Sequence, residues 1–287
     1  MKKIIQIILI SLFTITFAQN KTNRFFYELT FKPNKDSANT EKEMMILDTD
    51  GDQSVYQSYE LVVLDSILNT MLDKTEKAGL FADFSKMPQQ KPASFSHRIL
   101  KIYPISKIMY KDKIFESSFF YYENPNFDWK ILPEKQKISS YTSQKATTEF
   151  GSRKWIAWFT SEIPIQDGPY KFYGLPGLII KIEDEQNNFS WELKGNGKIK
   201  SIKDTLYLED LQKSGSKEIT KEKFYENFEN YKKDPFSETR QMASTLPSGI
   251  TLPDGSSIQE GMREIEKRAK EHFNKYNNRI EIIEKQK

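Results

Sequence analysis

Phe25-Phe26-Tyr27-Glu28-Leu29-Thr30-Phe31 decides the fold class, because larger apolar side chains occupy every second position along it. Successive side chains of a β-strand point to opposite faces, so the odd-numbered residues of this stretch share one face. Similar runs recur as far as residue 208, and turn sequences such as Asp50-Gly51 separate many of them. Short connections of this kind are typical of antiparallel hairpins. We therefore predict an α+β, mainly β fold with a large curved antiparallel sheet, forming an open barrel or half-barrel.

Three segments instead carry apolar residues at helical spacing, at residues 61–72, 220–235 and 257–276. Gly79 provides a stop after the first segment, and Thr220 provides an N-cap for the second. We expect one helix to cross the sheet and a helical C-terminal segment to pack on it. The predicted organisation is a signal peptide at 1–18, an antiparallel β-sheet domain at 19–210, and a helical C-terminal segment at 211–287.

The N-terminus has the features of a secretory signal peptide. Lys2 and Lys3 precede a mostly apolar stretch at 4–17, and Ala18 is a small residue where signal peptidase cleaves. A permanent membrane anchor is the alternative, but the stretch is shorter than the roughly 20 apolar residues that cross a bilayer. We therefore expect an exported chain without a membrane span after cleavage.

Composition argues against several function classes. The chain has 43 Lys and Arg residues against 40 Asp and Glu residues, so a concentrated basic surface for nucleic acid is not expected. It has no cysteine, which excludes disulfides, thiolate metal sites and cysteine nucleophiles. Two histidines, His97 and His272, are too far apart in sequence to suggest a metal site. No nucleotide-binding or hydrolase motif is present, so we assign no catalytic residue, metal or cofactor.

The stretch at 167–182, DGPYKFYGLPGLIIKI, contains a second informative pattern. Pro176 and Gly177 fit the second and third positions of a type II turn, where glycine accepts a positive φ. The predicted signature turn comprises Gly174, Leu175, Pro176 and Gly177. Residues 161–177 form a connection of about 17 residues, which is longer than most. It is either a rigid turn that fixes a core hairpin or the rim of a binding site.

Candidate binding residues lie on the preceding strand and in this connection. They are Arg153, Trp155, Trp158, Asp167, Tyr170 and Tyr173. By alternation, Trp155 and Trp158 lie on opposite faces of their strand, so one ring faces the core and the other faces a groove. The alternative is that both rings pack internally, as large aromatic side chains in strands often do.

Residues 174–179 spell GLPGLI, and the chain resembles the family of exported Bacteroidota proteins that is named after this signature. The resemblance extends to residues 27–33, 127–132, 141–147, 151–160 and 277–282. The chain has Ser143 where many relatives carry Cys, and Arg279 where many carry Pro. The first difference puts in doubt any role that needs a thiol there. Because the family has no established biochemical role, the resemblance implies no activity.

The leading hypothesis is a non-enzymatic binding or accessory protein of the envelope. The resemblance implies a link to outer-membrane transport or assembly, and an outer-membrane or periplasmic partner, since such proteins are often encoded near TonB-dependent receptors. Proteins of this phylum that pass the outer membrane commonly end in a β-domain. This chain ends in a charged helix, which favours the periplasm over the extracellular space.

Two further hypotheses belong to other function classes. One is a hydrolase that acts on glycan or peptide through carboxylates such as Asp167, which for a glycosidase requires a second carboxyl group nearby. The other is a purely structural envelope protein without a small-molecule ligand. The sequence predicts no oligomeric state.

Overall fold

A computed structural model describes residues 22–79, 87–104, 107–115, 117–202, 215–237 and 257–282, together with 81, 83, 85, 240, 241 and 255. These residues form a twelve-stranded sheet and three helices, so the fold is mainly β, as the alternation predicts. The predicted signal peptide at 1–18 and the predicted strand residues 203–208 lie outside the described residues.

Most of the strands lie close to the predicted apolar runs, whereas those at residues 130–138 and 217–218 were not predicted. The strands are β1 (Thr22–Phe31), β2 (Glu41–Thr49), β3 (Gln53–Ser58), β4 (Arg98–Ile102), β5 (Ile108–Ile114), β6 (Ser117–Glu123), β7 (Lys130–Ile138), β8 (Tyr141–Phe150), β9 (Arg153–Thr160), β10 (Leu178–Asp184), β11 (Phe189–Ile199) and β12 (Lys217–Glu218).

The helices are α1 (Tyr59–Ala78), α2 (Lys221–Lys233) and α3 (Ile258–Lys275). Each begins at a hydroxyl N-cap whose side chain accepts a backbone N–H, at Ser58, Thr220 and Ser257. Helix α1 ends at Gly79, whose φ of 63° is the left-handed C-cap that the sequence predicts. In the described part of the chain, no helix is long and apolar enough to cross a bilayer.

The sheet is open and consists of two meanders that meet at β1. Its order is β12-β6-β5-β4-β3-β2-β1-β11-β10-β9-β8-β7. Strands β1 to β6 proceed outwards on one side, and β7 to β11 proceed inwards on the other. The neighbouring pairs are antiparallel except β12 and β6, which are parallel. The end strands β12 and β7 do not pair, so the sheet does not close.

The two faces of the sheet are covered by different elements. On β1, Phe25, Tyr27, Leu29 and Phe31 are buried on what we call the core face, as the alternation predicts. Helix α1 packs on the opposite face, where the rings of Phe26 and Tyr59 meet edge to face at 5.7 Å. Helix α2 packs against β5 and β6 on the core face. The 161–177 connection also folds onto the core face.

Candidate functional site

The connection between β9 and β10, residues 161–177, is packed into the core and is called the signature loop below. The Phe172 ring lies 4.8 Å from the Trp155 ring, and the Tyr170 ring stacks on Trp191 at 6.2 Å. Tyr170, Phe172 and Leu175 are all buried. The centre of the loop is therefore part of the hydrophobic core.

The turn within the signature loop differs from the type II turn that its sequence suggests. The Gly177 amide donates to the Leu175 carbonyl at 2.7 Å, which closes a three-residue turn around Pro176. The Leu178 amide is bonded instead to the Ile163 carbonyl at 3.0 Å. Gly177 does adopt a positive φ, 146°, and a Cβ there would lie 2.1 Å from the Thr160 carbonyl oxygen.

Asp167 is fully buried, and its carboxylate is occupied by donors from three elements. Lys101 Nζ of β4 lies 2.5 Å from Oδ1, and the Gly168 amide donates to the same oxygen at 2.7 Å. Ser54 Oγ of β3 donates to Oδ2 at 2.5 Å, and the Tyr103 hydroxyl donates there too. With these contacts and no solvent exposure, Asp167 is a structural anchor for the loop.

The sequence identified Asp167 but not its partner Lys101, although a signal was present. Lys101 lies at an inward position of β4, beside Ile99 on the core face, where a charged side chain needs a buried partner. Burial lowers the pKa of Lys101, and the charge of Asp167 opposes that shift. Burial, followed by the charge of Asp167, raises the pKa of Tyr103, so its hydroxyl remains a donor.

Arg153 binds the C-terminal strap, which we define as residues 277–282. Its guanidinium donates to Asp184 Oδ2 at 3.0 Å and to Asn278 Oδ1 at 2.8 Å. It also donates to the carbonyls of Arg279 at 2.7 Å and Ile280 at 3.1 Å. These bonds attach the strap to β9 and occupy the guanidinium.

A four-charge cluster connects the strap with the signature loop. Lys171 of the loop pairs with Glu123 of β6 and with Glu281 of the strap. Lys221 Nζ of α2 lies 2.7 Å from a carboxylate oxygen of each of the same two residues. Burial raises the pKa of Glu281, but Lys171 and Lys221 outweigh that effect and lower it to about 2. The negative charges of the two carboxylates and the positive charges of the two ammonium groups therefore neutralise each other.

Beside this cluster lies a cavity of about 240 Å³, which we call the aromatic cavity. It is lined by β1, the segment before β4, β5, the signature loop, α2, α3 and the strap. Much of its wall is aromatic, and the rings include Phe31, Phe95, Tyr110, Tyr170, Phe224 and Phe228. Of the six predicted binding residues, Tyr170 lines this cavity and the others do not.

His97 is a wall residue of the aromatic cavity that sequence reasoning set aside as a lone histidine. Its ring lies nearly parallel to those of Tyr56, at 6.0 Å, and Tyr110, at 5.5 Å. Its Nε2 is buried without a hydrogen-bond partner. Burial, with a smaller contribution from the charge of Lys171, lowers the pKa of His97 to about 3. The imidazole is therefore neutral at physiological pH.

The remaining predicted residues are dispersed. Trp155 is buried and its Nε1 donates to the Phe150 carbonyl at 2.9 Å, whereas Trp158 lies half-buried on the opposite face. The two rings thus lie on opposite faces, as the alternation predicts. Tyr173 donates its hydroxyl to the Pro125 carbonyl at 2.7 Å. Within the described residues, no group of three His, Asp or Glu side chains is placed to hold a metal ion.

Comparison with known proteins gives a family match and several solved structures of similar fold. The model of a family described as a protein of unknown function, Porph_ging, matches residues 148–181, which contain the GLPGLI signature. No curated protein matches the chain. A structure of PNGF-II in space group C2 is 16% identical over 72% of this chain, with a TM-score of 0.49. For the P21 form of PNGF-II the TM-score is 0.48. The chain spans about a third of the length of PNGF-II, 32% in one form and 33% in the other.

Proposed function

We propose that the protein is a non-enzymatic binding protein of the bacterial envelope and that the aromatic cavity is its ligand site. The observation that carries this proposal is a cavity of about 240 Å³ whose wall is about half aromatic, with polar side chains between the rings. Ligand sites in proteins are typically concave, largely apolar and supplied with a small number of polar groups.

The titratable groups of the cavity support binding rather than catalysis. A general acid or base works best when its pKa lies near the operating pH. The pKa values of about 3 for His97 and about 2 for Glu281 are far from neutrality. Burial raises the pKa of Asp112, but its carboxylate accepts hydrogen bonds from Ser96 Oγ, the Tyr110 hydroxyl and a backbone amide. Two free carboxyl groups, which glycoside hydrolysis requires, are not available here.

Export, periplasmic location and membership of the GLPGLI family are parts of the same proposal. The signal-peptide pattern at 1–18 supports export. The match over residues 148–181, which contains the signature, supports the family. The link to outer-membrane transport or assembly, through a periplasmic or outer-membrane protein partner, rests on the resemblance described above.

Native mass spectrometry of the chain purified from the envelope of its own host tests the ligand site. Ser94 is an exposed residue at the cavity wall, so S94F is expected to fill the cavity without disturbing the core. Ser140 is an exposed residue in the turn between β7 and β8, so S140F is the matched control. We expect a small-molecule adduct on the wild type and on S140F that is absent from S94F.

Other outcomes contradict the proposal in distinct ways. A purely structural protein carries no adduct in any of the three samples. Turnover of an envelope glycan or peptide that disappears in Asp112→Asn shows an enzyme instead.

Export is tested separately by fractionation of the host and N-terminal sequencing of the protein. We expect the periplasmic fraction to contain a chain that begins at Gln19. A chain that retains residues 1–18 in the membrane fraction contradicts this part of the proposal.

A further inference from the structure

The walls of the aromatic cavity define the chemistry of its ligand. Ring faces and edges approach it from β5, the signature loop and α2, through Tyr110, Tyr170 and Phe224. We infer that the cavity binds a neutral, planar compound of about two fused rings that carries a hydroxyl or a similar group. This inference rests on the proposed function and specifies its ligand class.

The volume of the cavity sets the size of the ring system. An apolar protein cavity of about 150 Å³ holds a single benzene ring. The aromatic cavity measures about 240 Å³, which leaves room for a second fused ring and one substituent. Stacking and edge-to-face contacts with aromatic walls favour binding beyond the effect of the buried area.

A cationic ligand does not fit, because the protein's own cations already lie on the aromatic faces. Lys171 Nζ lies 4.6 Å from the centre of the Tyr110 ring and 5.3 Å from that of Tyr170. The Arg279 guanidinium lies 4.3 Å from the centre of the Phe228 ring. A second cation would meet their electrostatic repulsion.

An anionic ligand does not fit either. The carboxylates of Asp112 and Glu281 line the cavity and repel negative charge. Of the cations near it, Lys171 pairs with Glu281, Arg279 pairs with Glu229 at 2.8 Å, and Lys113 lies at the exposed rim beside the carboxylate of Asp112. A buried anion without a free cationic partner is strongly disfavoured.

His97 supplies the remaining part of the inference, the polar group on the ligand. Among the described residues of the cavity wall, His97 Nε2 is the side-chain polar atom that is buried without a hydrogen-bond partner. An unpaired polar group in a protein interior destabilises the protein, and a ligand that forms a hydrogen bond with it removes that cost. A hydroxyl group both donates and accepts, so it matches either tautomer of a neutral imidazole.

Isothermal titration calorimetry with three naphthalene probes tests the inference. The probes are 2-naphthol, which is neutral, 2-naphthoate, which is an anion, and 2-naphthylmethylammonium, which is a cation. On the purified chain we expect 2-naphthol to bind 1:1, at least tenfold more tightly than either charged probe. S94F should abolish this binding, and S140F should leave it unchanged.

The variant His97→Phe keeps an aromatic ring and removes Nε2. We expect it to weaken 2-naphthol binding about five- to tenfold, which is the effect of one lost hydrogen bond. Circular dichroism of each variant confirms that it is folded. Equal affinity of H97F and the wild type refutes the role of Nε2, and tighter binding of a charged probe refutes the neutral ligand.

Failure of this inference is distinguishable from failure of the proposed function. If no probe binds but the native chain carries an adduct that S94F loses, the cavity is a ligand site for another class of compound. If no probe binds and no adduct is present, both the ligand class and the binding function are refuted.

Discussion

Gly177 lies where the signature loop turns back along the end of β9, with a φ of 146°. A Cβ at this position would lie 2.1 Å from the Thr160 carbonyl oxygen, which belongs to the backbone and has little freedom to move. We therefore expect Gly177→Ala to lower the free energy of unfolding by about 3 kcal/mol or more, through steric overlap and backbone strain. Urea unfolding followed by circular dichroism measures the change.

Gly195 is the matched control, because a Cβ there meets no atom within 4 Å and its φ is not positive. Gly195→Ala should change stability by less than about 1 kcal/mol. Similar effects of the two substitutions would show that Gly177 is not required by its backbone geometry.

Lys101 and Asp167 form a fully buried ion pair, with both side chains at 0% exposure. Removing one member of such a pair leaves an uncompensated charge in the core. We expect Lys101→Met to destabilise the fold by about 3–5 kcal/mol, measured by urea unfolding. Lys194→Met removes a surface lysine that pairs with Glu192 at 2.7 Å, and should cost less than about 1 kcal/mol. Equal losses in the two variants would contradict a structural role for the buried pair.

The same pair shows why the sequence reveals the site only in part. Asp167 stands in a recognisable pattern, but its partner Lys101 is 66 positions away and belongs to another meander. Alternation places Lys101 on the core face, yet it does not say which acid meets it. The same limit applies to Arg153, which was identified as a binding residue and whose partners come from the strap.

At the scale of the elements, the attachment of the strap depends on the negative charge of Glu281, which is lost only in acid. Lys171 and Lys221 outweigh the effect of burial and lower the pKa of Glu281 from 4.5 to about 2. Because this pKa is lower in the folded than in the unfolded chain, the stabilisation is complete above pH 4.5. It is lost as the pH falls towards 2. The stability difference between the wild type and Glu281→Gln should shrink by about 2 kcal/mol between roughly pH 6 and pH 3.

Urea unfolding of both proteins at several pH values measures this difference. Glu264→Gln removes an exposed acid that pairs with Arg268 on α3, so it should leave the pH dependence of stability nearly unchanged. A wild-type advantage over E281Q that stays constant across this range would show that Glu281 does not hold the strap through its charge.

Helices and strands are predictable from the sequence where the signal lies in residues close together in the chain. The helix ends are predictable because Thr220, Ser257 and Gly79 cap them through bonds to near neighbours in the chain. Strand β7 was missed because most of its side chains are exposed and it lacks a buried face. It is the end strand of the sheet, and its Pro133 and charged residues are typical of edges that resist further pairing.

At the scale of the whole molecule, the order of the strands could not be predicted. Alternation identifies β1 and β11 as strands, but it does not indicate that Phe31 pairs with Phe189 at the centre of the sheet. The aromatic cavity depends on the same long-range assembly, since its walls come from β1, the segment before β4, β5, the signature loop, both C-terminal helices and the strap. Such a site exists only after the two meanders and the C-terminal segment have assembled.

The strap joins the last part of the chain to both meanders, so we expect its removal to weaken the whole fold. Asn278 bonds to the Lys32 carbonyl at 2.9 Å beside β1, and Ile282 bonds to the Gly151 carbonyl at 2.9 Å beside β9. A chain that ends at residue 276 also leaves Lys171 buried without Glu281. We expect this truncation to lower the free energy of unfolding by at least about 3 kcal/mol, or to prevent folding. Ile282→Ser, at an exposed side chain, keeps the strap and should change stability by less than about 1 kcal/mol. If the truncated chain and the wild type have the same free energy of unfolding in urea, the sheet is stable without its C-terminal strap.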